Sequence, residues 1–446
     1  MSRHLLCILT LFLVYMPGHT LRSQPNESVT GYIDEIYTDL EELYKHLHQN
    51  PELSLQEKNT SRLMADELKE LGFEVQENLG SYNLAGVYKN GDGPVVLIRA
   101  DMDGLPVTEN TGLQYASTAK GTTRNGDQVG VMHACGHDVH MTVFTGTART
   151  LIKLKDQWKG TLIMIAQSAE EAGLGADLLF KNDFYNKVPR PDFAIALHCN
   201  PYLEAGKVGY RSGPLLASVD MIDIEVYGEG GHGAAPHTTI DPIVLSAQLI
   251  QSFQTIVSRE INPLEPAVVT VGSIHGGNVH NVIPDKVHLQ LTVRSYSTEV
   301  RDQIIEGIRR RCRNLGLSAG LSEDQLPVIS IRDPNTPTTD NDPALTEKLV
   351  RVFQEELGMD HVQEMPKYTF GEDFSRYGIQ EHKVPICMYW LGTVDPVKVE
   401  EAQNGGQELP SLHSPLYAPV PEPSIRTGVR TMTAAALKLF EEGGRD

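Results

Sequence analysis

The chain has 446 residues, a length that favours two compact units over a single core. Hydrophobic residues make up 40% of it and charged residues 22%, which is the composition of an ordinary soluble globular protein. Aspartate and glutamate outnumber lysine and arginine by 58 to 38, and the resulting net charge of −20 argues against a nucleic-acid-binding protein.

The N-terminal residues predict a protein of the secretory pathway that is released from the cell. Arg3 precedes an apolar run, Leu5 to Met16, that is too short to span a bilayer, so residues 1–20 are interpreted as a cleaved signal peptide. Two sequons, at Asn26 and Asn59, are compatible with this route. Since no other segment is long and apolar enough to cross a bilayer, we expect no membrane association.

Cysteine usage does not indicate a disulfide scaffold. Beyond the predicted signal peptide the chain has four widely spaced cysteines: Cys135, Cys199, Cys312 and Cys387. A large core does not need such a scaffold. A single pair remains open, and if Cys135 has another role, at least one of the other three is an unpaired thiol.

Two amphipathic helices open the mature chain, and Ser54 with Glu57 makes a possible capping box for the second, which ends near Gly72. Apolar runs follow, separated in several places by helical stretches such as 141–154. These runs are Val95–Ala100, Leu162–Ala166, Phe193–Leu197 and Val384–Leu391. The alternation predicts an α/β fold with a doubly wound, mostly parallel sheet, whose ligand site lies beyond the carboxyl ends of its strands.

The middle of the chain predicts a second, smaller unit. Residues 219–227 alternate as a half-exposed strand. The elements after it are a helix near 241–260, strands near 266–274 and 286–294, a helix near 298–315 and a strand near 327–332. This βαββαβ order is typical of a ferredoxin-like unit. We therefore predict an inserted domain at 213–328, which interrupts a larger domain formed by 24–212 and 329–446.

Residues able to bind metal or to carry acid–base chemistry follow the predicted strands. The stretch VMHACGHDVHM contains Cys135 and His137 but no CxxC, so a dithiol redox site is not indicated. A lone Cys-x-His is weak evidence for a metal site. Four further stretches, RADMDGLP, QSAEEAGLGA, ALHCNP and PSLHSPLY, add carboxylates and histidines. Because these groups converge on one end of one predicted sheet, a metal site is favoured over separate structural roles.

The same stretches carry a family resemblance. Together with HQNPELSLQE, GGHGAAPH, NVIPD and GEDF, they resemble the aminoacylase-type two-metal metallopeptidases and amidohydrolases. The branch is that of hippurate hydrolases, N-acyl-amino-acid amidohydrolases and indole-acetyl-amino-acid hydrolases. The resemblance spans about residues 31–440. It implies a two-metal catalytic domain with an inserted lid or dimerisation domain, and hence a homodimer formed through the lid.

The resemblance also implies roles for individual residues. Two divalent ions, zinc or manganese, would be bound by Cys135, His137, Glu171, His198 and His413. Glu170 would be the general base, and Asp103 and Asp138 would orient the ligand histidines. In the lid, His232 would stabilise the oxyanion and reach the site of the partner subunit. Asn281 and Arg294 are candidates for binding the substrate carboxylate; the alternatives are a strand-end hydrogen bond and a surface arginine.

The leading hypothesis is a secreted hydrolase that cleaves N-acyl amino acids into a carboxylic acid and an amino acid. One alternative is a metallocarboxypeptidase or dipeptidase that uses the same site on short peptides. Another is a catalytically inactive relative that serves as a metal-dependent binding protein, and the presence of Glu170 and all five candidate ligands counts against it. A structural zinc site is less favoured still, because such sites are closed four-ligand sets without a spare glutamate.

Overall fold

The computed structural model describes residues 27–441. The predicted signal peptide and the sequon at Asn26 lie outside this range. Among the described helices, none has both the length and the apolar character that a membrane crossing requires.

Ten α-helices belong to the described part of the chain: α1 (Glu27–Gln49), α2 (Lys58–Glu70), α3 (His137–Lys153), α4 (Gly175–Lys181), α5 (Phe184–Lys187), α6 (Pro242–Arg259), α7 (Thr298–Ser318), α8 (Pro343–Leu357), α9 (Pro396–Gln403) and α10 (Pro421–Phe440). The same range contains 18 strands: β1 (Glu74–Gln76), β2 (Leu84–Lys89), β3 (Val95–Asp101), β4 (Lys120–Thr122), β5 (Gln128–Gly130), β6 (Thr161–Gln167), β7 (Phe193–Glu204), β8 (Val208–Tyr210), β9 (Gly213–Leu216), β10 (Ser218–Tyr227), β11 (Gly231–His232), β12 (Val268–Gly276), β13 (Val282–Ile283), β14 (Lys286–Ser295), β15 (Val328–Ile331), β16 (Thr339–Asn341), β17 (Val362–Glu364) and β18 (Ile386–Val394).

An eight-stranded sheet forms the centre of the larger part of the protein. Its strand order is β1-β2-β6-β3-β7-β18-β8-β17, and β6, β3, β7 and β18 run parallel to one another. These four strands are apolar along most of their length because both faces of the sheet are covered. The α/β fold with a mostly parallel sheet, predicted from the alternating apolar runs, is therefore confirmed.

A separate four-stranded antiparallel sheet lies in the middle of the chain, with the order β12-β14-β10-β15. In β10 every second side chain is buried, since one face of this sheet packs against α6 and α7. The element order β10-α6-β12-β14-α7-β15 is the predicted βαββαβ pattern. The domain boundary predicted at residue 328 falls on the first residue of β15, which pairs with β10.

The apolar cores follow the two sheets. Two clusters of buried side chains cover the faces of the large sheet, and a third, formed by residues between Ile222 and Leu321, lies between the small sheet and its helices. The large sheet thus provides the rigid frame on which the strand-end residues are held.

The capping box predicted for α2 is not formed. Ser54 Oγ donates to Asp103 Oδ2 at 2.6 Å, and Glu57 Oε1 accepts from the backbone N–H of Ala169 at 2.7 Å. The N-cap of α2 has no side-chain hydrogen bond to the helix. Both side chains are instead used for contacts with loops that follow β3 and β6, which local spacing does not reveal.

Candidate active site

A cavity of about 490 Å³ opens at the carboxyl ends of the central parallel strands. The five predicted metal ligands and Glu170 come from four places in the fold. Cys135 and His137 lie at the start of α3, the paired glutamates follow β6, His198 lies in β7 and His413 lies in a late loop. Among them, Cys135, Glu170, Glu171, His198 and His413 line the cavity.

His198 lies inside β7 and not beyond its end, because this strand continues to Glu204. Pairing of β7 with β3 stops at Ala196, so His198 lies beyond the part of β7 that pairs with β3, although it still pairs with Trp390 of β18. Likewise α3 begins at His137, three residues earlier than the start predicted near His140.

The candidate ligand atoms form one continuous group. Cys135 Sγ lies 3.6 Å from His198 Nε2, and Glu171 Oε1 lies 3.3 Å from His413 Nε2. His137 Nε2 is 3.9 Å from the same Glu171 oxygen. Overlapping sets of three ligand atoms, each within 4.8 Å of one another, connect all five residues. Such spacing fits ions that are bound between these side chains.

Buried atoms without hydrogen-bond partners indicate whether this group of side chains could bind a metal ion. His137 Nε2 and Glu171 Oε1 are buried without a hydrogen-bond partner among the described residues. His137 Nδ1 donates to the carbonyl of Asp103 at 2.8 Å, and His198 Nδ1 donates to the carbonyl of Cys199 at 2.9 Å. Both rings are thereby held with the Nε2 lone pair free for a ligand bond. The residues present therefore fit a divalent ion.

The electrostatics of Cys135 lead to the same conclusion. Burial raises the pKa of its thiol well above the usual range, and the negative charges of Glu171 and Glu170 raise it further. A thiolate at this position consequently needs a nearby positive charge. A bound divalent cation supplies that charge and deprotonates a coordinating thiol.

Glu170 is buried beside the ligand group. Burial raises its pKa well above the ordinary value, and the charges of Glu372 and Glu171 add to this effect. One carboxylate oxygen of Glu170 lies within 4.8 Å of oxygens of Glu372 and Asp373. A carboxylate with a raised pKa is suited to accept a proton near neutral pH.

Asp103 holds the loop that contains the two glutamates. Its Oδ1 accepts from the backbone N–H of Glu170 at 3.1 Å, and its Oδ2 accepts from that of Glu171 at 3.0 Å. The shorter contact with His137 is made by the backbone carbonyl of Asp103, and Oδ1 of its carboxylate lies 3.5 Å from the same ring nitrogen. Asp103 thus contacts a candidate ligand histidine, while its carboxylate accepts hydrogen bonds from the backbone of both glutamates.

Asp138 contacts a different histidine from the predicted one. Its Oδ2 lies 2.7 Å from Nδ1 of His48, a buried residue at the end of α1 that is not one of the candidate ligands. The other ring nitrogen of His48 lies 3.1 Å from Glu109 Oε1. Asp138 therefore ties the start of α3 to α1, and the expectation that it orients a metal-binding histidine is wrong.

A buried network behind the site was not assigned from the sequence. Arg99 in β3 pairs with Asp101 at 2.6 Å, with Glu372 at 2.9 Å and with Asp373 at 3.0 Å. Asp101 Oδ1 in turn lies 2.5 Å from Nδ1 of His140. Arg99 and Asp101 belong to the RADMDGLP stretch, where the available signal was a pair of charged side chains within an apolar strand. Glu372 and Asp373 belong to the GEDF stretch, at the start of a short 3-10 helix.

The predicted lid residues are divided between two places. Arg294 lines the cavity, and its Nη1 donates to the carbonyl of Thr369 at 2.6 Å. His232 and Asn281 lie together on neighbouring segments, where the backbone N–H of Gly233 donates to the carbonyl of Asn281. Neither belongs to the described residues that line the cavity of the same chain.

Comparison with known proteins agrees with this geometry. The family model of peptidase family M20/M25/M40 matches residues 97–412. An N-acetyl-L-cysteine deacetylase of Bacillus subtilis is 37% identical over 84% of this chain and 85% of its own length. The thermostable carboxypeptidase 1 of Saccharolobus solfataricus is 35% identical over 82% of this chain and 89% of its own length.

A solved structure extends the comparison to the fold. The YXEP protein of Bacillus subtilis, a dinuclear metal-binding peptidase of the M20 family, aligns with a TM-score of 0.73 and 28% identity. The alignment covers 92% of this chain and 99% of that one. With its family match, its relatives and its ligand cluster at the strand ends, the chain belongs to peptidase family M20/M25/M40 and is a metal-dependent amidohydrolase.

Proposed function

We propose that this protein hydrolyses the amide bond of N-acyl amino acids and releases a carboxylic acid and an amino acid. The observation that carries the proposal is the Glu170 carboxylate, which lines the same cavity as four of the five candidate ligands. A relative named as a deacetylase of N-acetyl-L-cysteine supports this substrate class. A relative named as a carboxypeptidase supports a second candidate, the hydrolysis of short peptides at the same site.

Each residue has a distinct part in the proposed reaction. When bound, two divalent ions would lower the pKa of a water molecule and polarise the amide carbonyl. Glu170 takes a proton from the attacking water as the new C–O bond forms. It returns this proton to the nitrogen as the C–N bond breaks, so the amino acid leaves as a neutral amine. The five ligands would hold the ions; thiolate and imidazole favour zinc, while the carboxylate tolerates manganese.

Glutamate variants test this assignment. We expect Glu170→Gln to abolish release of amino acid while the metal content per chain stays at the wild-type level, because a base is lost and no ligand is. Glu171→Gln is the matched variant, and we expect it to lose metal as well as activity. Elemental analysis and assays with N-acetyl amino acids and dipeptides measure both quantities. If Glu170→Gln lost its metal, the two roles would be exchanged or shared.

We further propose that the protein works as a homodimer in which His232 and Asn281 serve the partner's site. Their position outside the cavity of their own chain supports this arrangement. β12 is an outer strand of the small sheet, so its backbone edge is available for pairing with a second copy. This strand also exposes the apolar side chain of Ile274.

Subunit mixing tests the crossed arrangement. His232→Ala and Glu170→Gln chains are each expected to be inactive, whereas a mixture that exchanges subunits should regain part of the activity at its hybrid sites. No recovery despite demonstrated exchange, or an active monomer, would contradict the proposal.

We also propose that the protein is secreted, on the basis of the apolar run in residues 1–20 alone. Expression in a secreting host should yield a mature chain in the medium whose N-terminus follows the predicted signal peptide. Retention of Met1 on the purified protein would contradict this.

A further inference from the structure

The loop that carries the two glutamates is bound by other segments at four successive backbone N–H groups. These groups belong to residues 168–171, directly after β6. Their acceptors are side-chain oxygens: Asn83 Oδ1 at 2.8 Å, Glu57 Oε1 at 2.7 Å, and Asp103 Oδ1 and Oδ2 at 3.1 and 3.0 Å. Because backbone N–H groups that leave water need acceptors, these three side chains together determine the course of the loop.

Ala169 is the residue at which this loop is strained. Its φ is +56°, in the left-handed region that a residue with a Cβ rarely adopts, and it is fully buried. Because Ala169 directly precedes Glu170, its backbone sets the direction in which the chain presents the carboxylate of the candidate base. Such a conformation persists only where the surrounding structure holds it in place.

Glu57 holds Ala169 from a fixed position. It is the N-cap residue of α2, and its carbonyl accepts from the backbone N–H of Ser61 at 2.9 Å. Its side chain makes no capping bond to this helix and instead accepts from the backbone N–H of Ala169. Glu57 is fully buried, which is rare for a glutamate. Its carboxyl group therefore serves the loop after β6 and not the helix.

The contact between Glu57 and Ala169 requires an oxygen atom and not a negative charge. The pKa of Glu57 is raised to about 8, mainly by burial and also by the negative charge of Asp103, so the uncharged acid predominates near neutral pH. An uncharged carboxyl group still accepts an N–H bond. Its other oxygen, Oε2, is buried without a hydrogen-bond partner among the described residues. A glutamine at this position would therefore preserve both the charge and the acceptor.

Resting on the proposed function, in which Glu170 is the base, we infer that Glu57 is a positioning residue for amide hydrolysis. Its carboxyl group holds the left-handed backbone at Ala169 and thereby fixes the place of the Glu170 carboxylate. Glu57 belongs neither to the candidate ligand groups nor to the described lining of the cavity. It acts on the reaction through the loop alone.

Glu57→Asp separates positioning of the loop from support of the helix. The shorter side chain keeps a carboxyl group but lacks one methylene, so it cannot reach the N–H of Ala169. Aspartate is also a preferred N-cap residue, so the start of α2 should not be weakened. We expect kcat at saturating metal to fall by about tenfold or more, because the N–H of Ala169 is left buried without an acceptor. KM for an N-acetyl amino acid should change little.

Two further variants complete the comparison. Glu57→Gln keeps the length of the side chain and an oxygen that accepts the N–H of Ala169, so it should retain most of the wild-type kcat. Glu52→Met is the control for the helix. The carboxylate of Glu52 accepts from the backbone N–H groups of Asn59 and Thr60, at the start of α2, and not from the four N–H groups of the loop. We expect Glu52→Met to loosen α2 and to leave kcat unchanged.

Amide hydrogen exchange measures how firmly the loop is held, without any substrate. The metal-free protein is used so that ions bound by Glu171 do not hold the loop. We expect Glu57→Asp to speed exchange in a peptide covering residues 168–175 by about tenfold, since a bond that protects the loop is lost. Glu57→Gln should exchange there like the wild type. Glu52→Met should speed exchange in residues 58–64 and not in the loop.

The outcomes separate this inference from the proposed function. If Glu57→Asp kept the wild-type kcat and loop exchange, or if Glu57→Gln lost as much as Glu57→Asp, the positioning role would be overturned while amide hydrolysis would stand. Thermal unfolding checks that each variant folds, and Glu57→Met replaces Glu57→Asp if the latter does not. If the wild type hydrolysed no N-acyl amino acid, the proposed function would fail, and the exchange comparison would still decide whether Glu57 holds the loop.

Discussion

Asp103 has more influence on the candidate site than its role as a histidine partner suggests. A single carboxylate accepts the backbone N–H groups of both Glu170 and Glu171 and the hydroxyl of Ser54. Because these bonds come from three positions in two loops, the position of the candidate base depends on an anion outside the candidate ligand set.

We therefore expect Asp103→Asn to reduce kcat by about tenfold or more while KM changes little, since the amide has one acceptor atom where the carboxylate has two. Steady-state kinetics and metal content measure the effect. Ser54→Ala is the matched control because it removes only one of the three donors, and its kcat should stay close to that of the wild type. Equal losses in the two variants would contradict this role.

His48 gives stability a pH dependence. Burial lowers the pKa of His48, but its hydrogen bonds with Asp138 and Glu109 raise the pKa by more, to about 10 from an ordinary 6.5. The folded state binds the proton more tightly than the unfolded chain. The resulting stabilisation is therefore complete below pH 6.5 and is lost as the pH rises through about 10.

We expect His48→Gln to lower the free energy of unfolding by about 3 kcal/mol below pH 6.5, because it leaves two carboxylates without their cation. The difference from wild type should diminish as the pH approaches 10. Urea unfolding at several pH values and a fixed metal concentration measures it. His46→Gln, on the exposed face of the same helix, should show no such trend; a pH-independent loss in His48→Gln would contradict the ion-pair explanation.

The residue before α3, Gly136, occupies a position at the site that does not readily accept a side chain. Gly136 separates two candidate ligands, Cys135 and His137, and has a φ of +82° at the N-cap of the helix. A Cβ at this position would lie 2.9 Å from Cys199 Sγ and 3.0 Å from its Cβ. The backbone here adopts a left-handed conformation and also approaches β7 closely, so that the helix can present His137 to the site.

We expect Gly136→Ala to bind less metal and to unfold more easily than the wild type, since both ligands must shift to relieve the contact with Cys199. Gly112→Ala is the matched control. Gly112 has a similar φ of +76° but open space around its Cβ, so it should show only the conformational cost of about 1–2 kcal/mol. Metal binding and unfolding are measured for both variants. The comparison distinguishes the cost of the left-handed backbone conformation from that of the steric clash with Cys199.

The sequence predicted elements better than contacts between them. The strand ends could be predicted because apolar periodicity is a local property, whereas the candidate metal-ligand set was implied by the family resemblance that the local motifs carry. The His48–Asp138 pair joins residues 90 positions apart, and the Arg99–Glu372 pair joins residues 273 positions apart. No local pattern determines such pairings. The failed capping box has the same origin, because Ser54 and Glu57 bond to distant loops.

At the scale of the whole molecule, a metal ion at the candidate site would connect segments that are far apart in the sequence. Four of its candidate ligands precede the small sheet in the sequence, whereas His413 follows it. A metal ion that binds the folded protein but not the unfolded chain stabilises the folded state by mass action. Metal should therefore stabilise the entire larger part of the protein and not only the site.

We expect removal of metal by a chelator to lower the unfolding temperature of the wild type. A thousandfold excess of metal over its Kd should restore about 4 kcal/mol of stability. Calorimetry with and without metal measures the shift. Glu170→Gln should respond like the wild type because it retains every ligand, whereas Glu171→Gln should respond much less. An equal response of the two variants would argue against Glu171 as a ligand.

The position of β18 has a consequence for how the chain is built during synthesis. β18 lies between β7 and β8, and the two sheet neighbours of β8 are β17 and β18, both of which are translated after the small sheet. Until β18 emerges, the growing sheet ends at the unpaired edge of β7, which carries His198. Such an edge favours association with other chains. A nascent chain that already contains the whole ferredoxin-like unit is therefore still incomplete. We expect hydrolysis to begin only after the C-terminal segment has completed the sheet and has placed His413 beside Glu171.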